Sequence, residues 1–239
     1  MATSNIYTVQ YTRDQINTAA LRKLGVIATG QNPSPDDLDN ASMALNMLIG
    51  MLRAKGMPMW ARSTYSFSTT LNTPTYSIGT GQTFNTPYPL KILQVYRTID
   101  GNRLDMDVEA DYNFNQLPVS SPGIPIKLAY QAGNNVGTIK LWPTPDSTAA
   151  SALFTIVYQR PFQYFMAATD TMDFPEEWYL PLVYNLAVLI APEWGVALPD
   201  RQMLSAQADK FTDEVLGMGQ EDASMFIQPY RQGNRDGLT

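Results

Sequence analysis

The sequence predicts an α+β protein: a helical bundle built from N- and C-terminal helices, an inserted antiparallel β-sandwich or small barrel, and an extended C-terminal tail. Three observations predict it. Apolar residues recur at helical intervals before Gly56, a period of two sets in near Ser63, and helical periodicity returns after Asp173. The expected divisions are residues 1–62 with 172–217 for the bundle, 63–171 for the β domain and 218–239 for the tail.

The first helix opens at Thr12, where Thr12 and Gln15 have capping-box spacing and Ile16, Ala20, Leu21 and Leu24 fall at helical intervals. Gly25 supplies its stop. The second is signposted at both ends. Ser34 is the N-cap, Pro35 takes the first helical position, and Asp36 and Asp37 complement the positive helix end. Leu38, Ala41, Leu45, Leu48 and Leu52 follow, then Arg53 and Lys55 at the negative end, with Gly56 closing and Pro58 beyond.

From Ser63 the chain turns to Thr, Tyr, Ile, Val, Gly and Pro, with Tyr65 and Phe67 alternating with polar neighbours. Strands are expected at 64–70, 75–78, 90–99, 126–131, 138–142 and 153–159. Between them lie the turn clusters Gly79-Thr80-Gly81, Asp100-Gly101-Asn102, Pro122-Gly123 and Gly133-Asn134-Asn135, and residues 109–117 read as a short crossing helix. After Asp173, Pro175 and the pair Glu176-Glu177 favour a helix start. The run 178–190 is apolar on most faces, with Pro181 marking a kink or late start and Pro192 the end. A fourth helix begins near Asp200, carries Leu204, Ala208, Phe211 and Val215 on one stripe, and ends at Gly217.

Composition narrows the function. With 239 residues and 44% hydrophobic content the chain can fill a core. No apolar run reaches the ~18 residues of a membrane span, and the N-terminus lacks the layout of a secretion signal, so maturation in the cytoplasm, or in something assembled there, and no membrane partner are expected. The absence of cysteine and histidine removes disulfides, thiolate nucleophiles, the usual zinc ligands and the commonest general base. A formal charge of −6, from 22 acidic and 16 basic residues, argues against a surface that grips nucleic-acid phosphates.

Several groupings have both a chemical and a plain reading. Gly79-Thr80-Gly81-Gln82-Thr83 lacks the Lys-Ser/Thr pair of a phosphate loop and reads as a hairpin turn. Glu176 and Glu177 are adjacent and so point in different directions on a helix, which suits dipole complementation better than paired catalysis. Asp105, Asp107, Glu109 and Asp111 lack the central glycine and closing glutamate of a calcium loop and read as a solvated acidic face. Tyr88, Tyr96, Tyr130, Trp142 and Tyr158 have no basic groove beside them and read as sheet core and interface anchors rather than base-stacking platforms.

The stretch RDQINTAALRKLGVIATGQNPSPDDLDNASMALNMLIGMLRAKGMPMW, residues 13–60, resembles the opening of the head-to-tail adaptor family of short-tailed phages, also called tail accessory, packaged-DNA-stabilisation or head completion proteins. The resemblance continues through YSIGTGQTFNTPYPLKI (76–92), TIKLWPTP (138–145), FTIVYQRPF (154–162) and DFPEEWYLPLVYNLAVLIAPEWG (173–195), and their order and spacing carry it. Leu52-Arg53 departs from it, standing where many relatives place a Trp.

The resemblance implies a structural virion protein at the head–tail junction and no enzyme. It implies a homo-oligomeric ring, a dodecamer, beneath the portal protein, with its lower face toward a tail nozzle or hub protein or tail fibres. DNA would pass through the lumen without specific binding, and the ring would help retain it. No cofactor, metal or catalytic residue is expected. Twelve copies of a −6 subunit would make an acidic ring, so carboxylates are expected to outnumber basic groups on the lumen wall. In the polar C-terminal end, the apolar cluster Met225, Phe226, Ile227 and Tyr230, with Arg231, reads as a portal-binding segment. Two alternatives remain: a virion-associated peptidoglycan hydrolase using a carboxylate pair, and a head completion protein of a different tail type.

Overall fold

The computed structural model describes Asn5 and residues 7–28, 30–55, 61–118 and 121–218. Helix α1, Arg13–Lys23, starts with the full capping box: the Thr12 hydroxyl accepts from the Gln15 amide while the Gln15 side chain accepts from the Thr12 amide at 2.9 Å. At its end Gly25 adopts φ +72° and the Val26 amide returns to the Leu21 carbonyl at 3.2 Å, a turn that glycine enters without a Cβ penalty. Helix α2, Pro35–Ala54, is capped by the Ser34 hydroxyl, which accepts from the Asp37 amide at 3.2 Å. The expected stop at Gly56 lies outside the described residues.

Ten strands follow: β1 Arg62–Phe67, β2 Thr75–Gly79, β3 Phe84–Asn85, β4 Lys91–Ile99, β5 Asn102–Glu109, β6 Pro122–Gly123, β7 Lys127–Ala132, β8 Gly137–Trp142, β9 Thr144–Pro145 and β10 Leu153–Gln159. Eight form one sheet in the order β1-β10-β4-β5-β7-β8-β2-β3, and β6 pairs with β9 apart from it. The sheet curls until its two ends meet. The Phe67 ring of β1 lies 4.2 Å from the Phe84 ring of β3, and Tyr65 lies 5.6 Å from the same ring, which gives a nearly closed barrel.

Of the two architectures expected for the β part, a sandwich or a small barrel, the structure has the barrel. Two sequence expectations need correction. The sheet is mixed rather than antiparallel, since β5 pairs with β7 and β2 with β3 in parallel. The connection of seventeen residues from β5 to β7, 110–126, is long enough for a crossover, whereas a two-residue turn is not. Finally, β5 was expected as an acidic face and the start of a crossing helix; it is a strand through Glu109, and α3 spans only Asp111–Phe114. Asp100 and Gly101, with φ of +49° and +79°, make the two-residue turn that joins β5 to β4.

Two apolar cores result. One fills the barrel with Ile78, Val95, Leu128, Ile139, Phe154 and Ile156, all buried. Gly137 is required there, because a Cβ would run into the Tyr130 ring that lies across it. The other core is helical. After a 3₁₀ turn at Glu176–Trp178, α4 runs over Tyr179–Ile190 with Pro181 in its first turn, the late start that this proline imposes. Ile16 and Leu21 of α1, Leu45, Leu48 and Ile49 of α2, and Leu182, Leu186 and Ile190 of α4 share this core. Helix α5, Leu198–Met218, packs on α4, burying Leu204 and Ala208 and setting Phe211 5.1 Å from Tyr184.

Where the chain passes from barrel to helices, Arg160 makes a two-pronged ion pair with Asp173, with Nη2 to Oδ1 at 2.7 Å. Asp173 also accepts the Gln163 amide at 3.0 Å, and the Arg160 amide donates to the Ala61 carbonyl at 2.8 Å. The fork fixes the exit from β10 beside the start of β1.

Candidate functional site

The residues singled out in the sequence do not converge on one cleft. The cluster Met225, Phe226, Ile227, Tyr230 and Arg231 lies outside the described residues. Residues 79–82 close a turn, with the Gln82 amide donating to the Gly79 carbonyl at 3.1 Å, but the strands flanking it run parallel, so it is not a hairpin. Glu176 sits in the 3₁₀ turn and accepts the Val9 amide at 2.6 Å, holding the N-terminal segment against the start of α4.

The acidic alternation divides. Asp105 and Asp107 are exposed on the outer side of β5, Asp105 beside Arg103 at 3.4 Å. Further along, the same acidic face is ion-paired, Glu109 with Lys127 at 2.6 Å and Asp111 with Lys140 at 2.7 Å. These ion pairs tie β5 and α3 to β7 and β8. Hydrogen bonding from Lys127 holds the Glu109 carboxyl below its usual range, and Lys140 does the same to Asp111.

Asp146 is lowered by its hydrogen bond from Thr148, and Asp170 by the backbone amides of Ala167 and Met166. Every carboxyl with a displaced titration among the described residues is therefore displaced toward the anion. A glycosidase acid needs the opposite displacement. Among the described residues no group of three or more acidic side chains could hold a metal ion, and no helix is long and apolar enough to cross a membrane.

The aromatic set has structural work. Tyr158 is buried in the barrel, and its hydroxyl shares a hydrogen bond with Thr86 at 2.6 Å. Trp142 donates to the Pro118 carbonyl at 2.9 Å, and Tyr130 to that of Pro89. Burial, then the Tyr88 phenol, pushes Tyr130 up to about 12. The Tyr88 hydroxyl accepts from Arg53 at 2.6 Å, and the Arg103 guanidinium lies 3.7 Å over the Tyr96 ring.

What sequence reasoning missed is a surface. Met43, Met47 and Met51 stand on the outer face of α2 with 60%, 68% and 46% of their area exposed. Their spacing of four was legible, opposite the Leu45, Leu48 and Leu52 side. Tyr164 flanks this face, with its hydroxyl over Gly50 and its ring beneath Arg53 at 4.9 Å.

A family model described as SU10 adaptor protein matches residues 11–233. No curated protein matches the chain.

Proposed function

We infer the role of the chain from its family, for it belongs to the SU10 adaptor protein family. The reading this supports best is a structural phage protein, one subunit of a ring that joins the portal to the tail nozzle and continues the DNA channel, helping to retain packaged DNA. The observation that carries it is the match over residues 11–233, which takes in the helices, the barrel and most of the C-terminal segment. The carboxyls of Glu109, Asp111 and Asp170, displaced toward the anion, are a second support, because none of the three suits the proton-donating acid that the rival peptidoglycan hydrolase needs.

In this role the helices of 1–62 and 172–217 form the bundle, the barrel of 63–171 projects from it, and 218–239 reaches a neighbour. Twelve subunits would line a channel in which surplus carboxylates repel phosphates and let DNA slide. The tail docks on the portal through Met225, Phe226, Ile227, Tyr230 and Arg231, an apolar cluster with one cation in an otherwise polar segment.

The test is native mass spectrometry of the chain mixed with portal rings from the same virion. The full chain is expected to add in ring stoichiometry, and a chain lacking residues 219–239 is expected to stay folded and fail to bind. Normal binding by the truncated chain would remove the docking role of the tail. Clearing of a cell-wall suspension by the purified protein would favour the hydrolase.

A further inference from the structure

The exposed positions of α2 between Asn40 and Ala54 are Asn40, Met43, Met47, Met51 and Ala54, and none is charged. A helix that ends its life facing water carries charged residues on that side. The charges of α2 are instead gathered at its ends, with Asp36, Asp37 and Asp39 in the first turns, Arg53 in the last and Lys55 at the C-cap. The helix therefore presents an apolar centre between an acidic end and a basic end.

That pattern is complementary to itself in one orientation. A second α2 laid parallel would set acid on acid and base on base. Laid antiparallel about a two-fold axis at Met47, it sets Met43 of one copy against Met51 of the other and brings each acidic end to the other's Lys55. We propose that, away from its virion neighbours, the protein pairs with a second copy of itself through this antiparallel contact of α2. A lipid surface is a poorer occupant, since anionic headgroups would meet the three aspartates.

Methionine suits a contact that must form and release, being unbranched and able to repack. One helix face falls short of the ~800 Å² per partner of a standard stable interface, so the pair is reversible. The contact joins a face to itself, whereas neighbours in a cyclic ring join two different faces. The pair thus belongs to the free protein and opens as the ring forms, covering the methionines until then.

The chain has no cysteine, which makes a single introduced thiol a clean probe. Met47→Cys is expected to give a disulfide-linked dimer on mild oxidation, because the two-fold axis places this position against its own copy. Met166→Cys, at a residue 85% exposed on a loop, is expected to form no disulfide-linked dimer under the same conditions. In sedimentation equilibrium the unmodified full chain should show a monomer–dimer equilibrium. Met47→Glu should weaken it by ~100-fold or more, since two carboxylates would meet at the axis, and Lys55→Glu should weaken it by a smaller factor. Circular dichroism should show both variants folded.

A monomer at every concentration would overturn the proposal, as would a dimer indifferent to Met47→Glu or equal cross-linking from Met166→Cys. Portal binding by the unmodified chain is scored separately, so loss of the pairing leaves the adaptor role standing.

Discussion

Phe67→Ala tests what closes the barrel. Strands β1 and β3 stand at opposite ends of the sheet order, and the described contacts between them are aromatic. Phe67 is 6% exposed, and its ring lies 4.2 Å from Phe84, 5.8 Å from Phe154 and 6.2 Å from Tyr76. Truncating so enclosed a ring should cost ~3–5 kcal/mol, the range for Phe→Ala in a core. At ~2–4 °C per kcal/mol for a chain of this size, the melting point should fall by about 6–20 °C.

The sharper measurement is a double-mutant cycle in urea with Phe84→Ala. If the two rings form the seam, their coupling should be about 0.5–1.5 kcal/mol beyond the single effects. Additivity within ~0.3 kcal/mol would refute a seam held by this pair, and so would a Phe67→Ala cost below ~1 kcal/mol.

Other expectations follow from the joints of the fold. Asp173→Ala removes the acceptor of both Arg160 prongs and of the Gln163 amide, leaving a half-buried guanidinium without its carboxylate. A loss of ~2–4 kcal/mol in chemical denaturation is expected, and Arg160→Lys should recover little because a single ammonium cannot reproduce the fork. Gly137→Ala forces a methyl against the Tyr130 ring and should cost about 1–3 kcal/mol; Gly81→Ala, with open space around it, should be felt only through its backbone conformation. The lowered carboxyls of Glu109, Asp111, Asp146 and Asp170 set the acid limb of stability. Each contribution is present above the ordinary carboxylate range and is lost as pH falls through the lower folded-state value, so urea midpoints should decline below pH ~4 and Glu109→Gln should flatten that decline.

The helices were legible because their signals are local. The Ser34 cap, Pro35 and the following aspartates define the start of α2 within four residues, and the structure puts it there. Strand β5 was hidden by its own charges. Leu104, Met106 and Val108 alternate with Asp105, Asp107 and Glu109, a clean period of two, yet the acids drew the reading toward a solvated face. Parallel pairing of β5 with β7 leaves no local mark, because it is decided by which distant strands share the barrel wall. The same holds for the aromatic seam, since Phe67 and Phe84 are ordinary strand residues until the sheet curls. The methionine face of α2 was readable from spacing alone, but only its exposure shows that it has no partner among the described residues.

The most direct test of the adaptor role is electron microscopy of the purified chain mixed with its portal. The account predicts a ring of this protein seated coaxially on the portal, with an open central channel continuing the portal's own. Portal rings that remain bare beside unattached chain would contradict it.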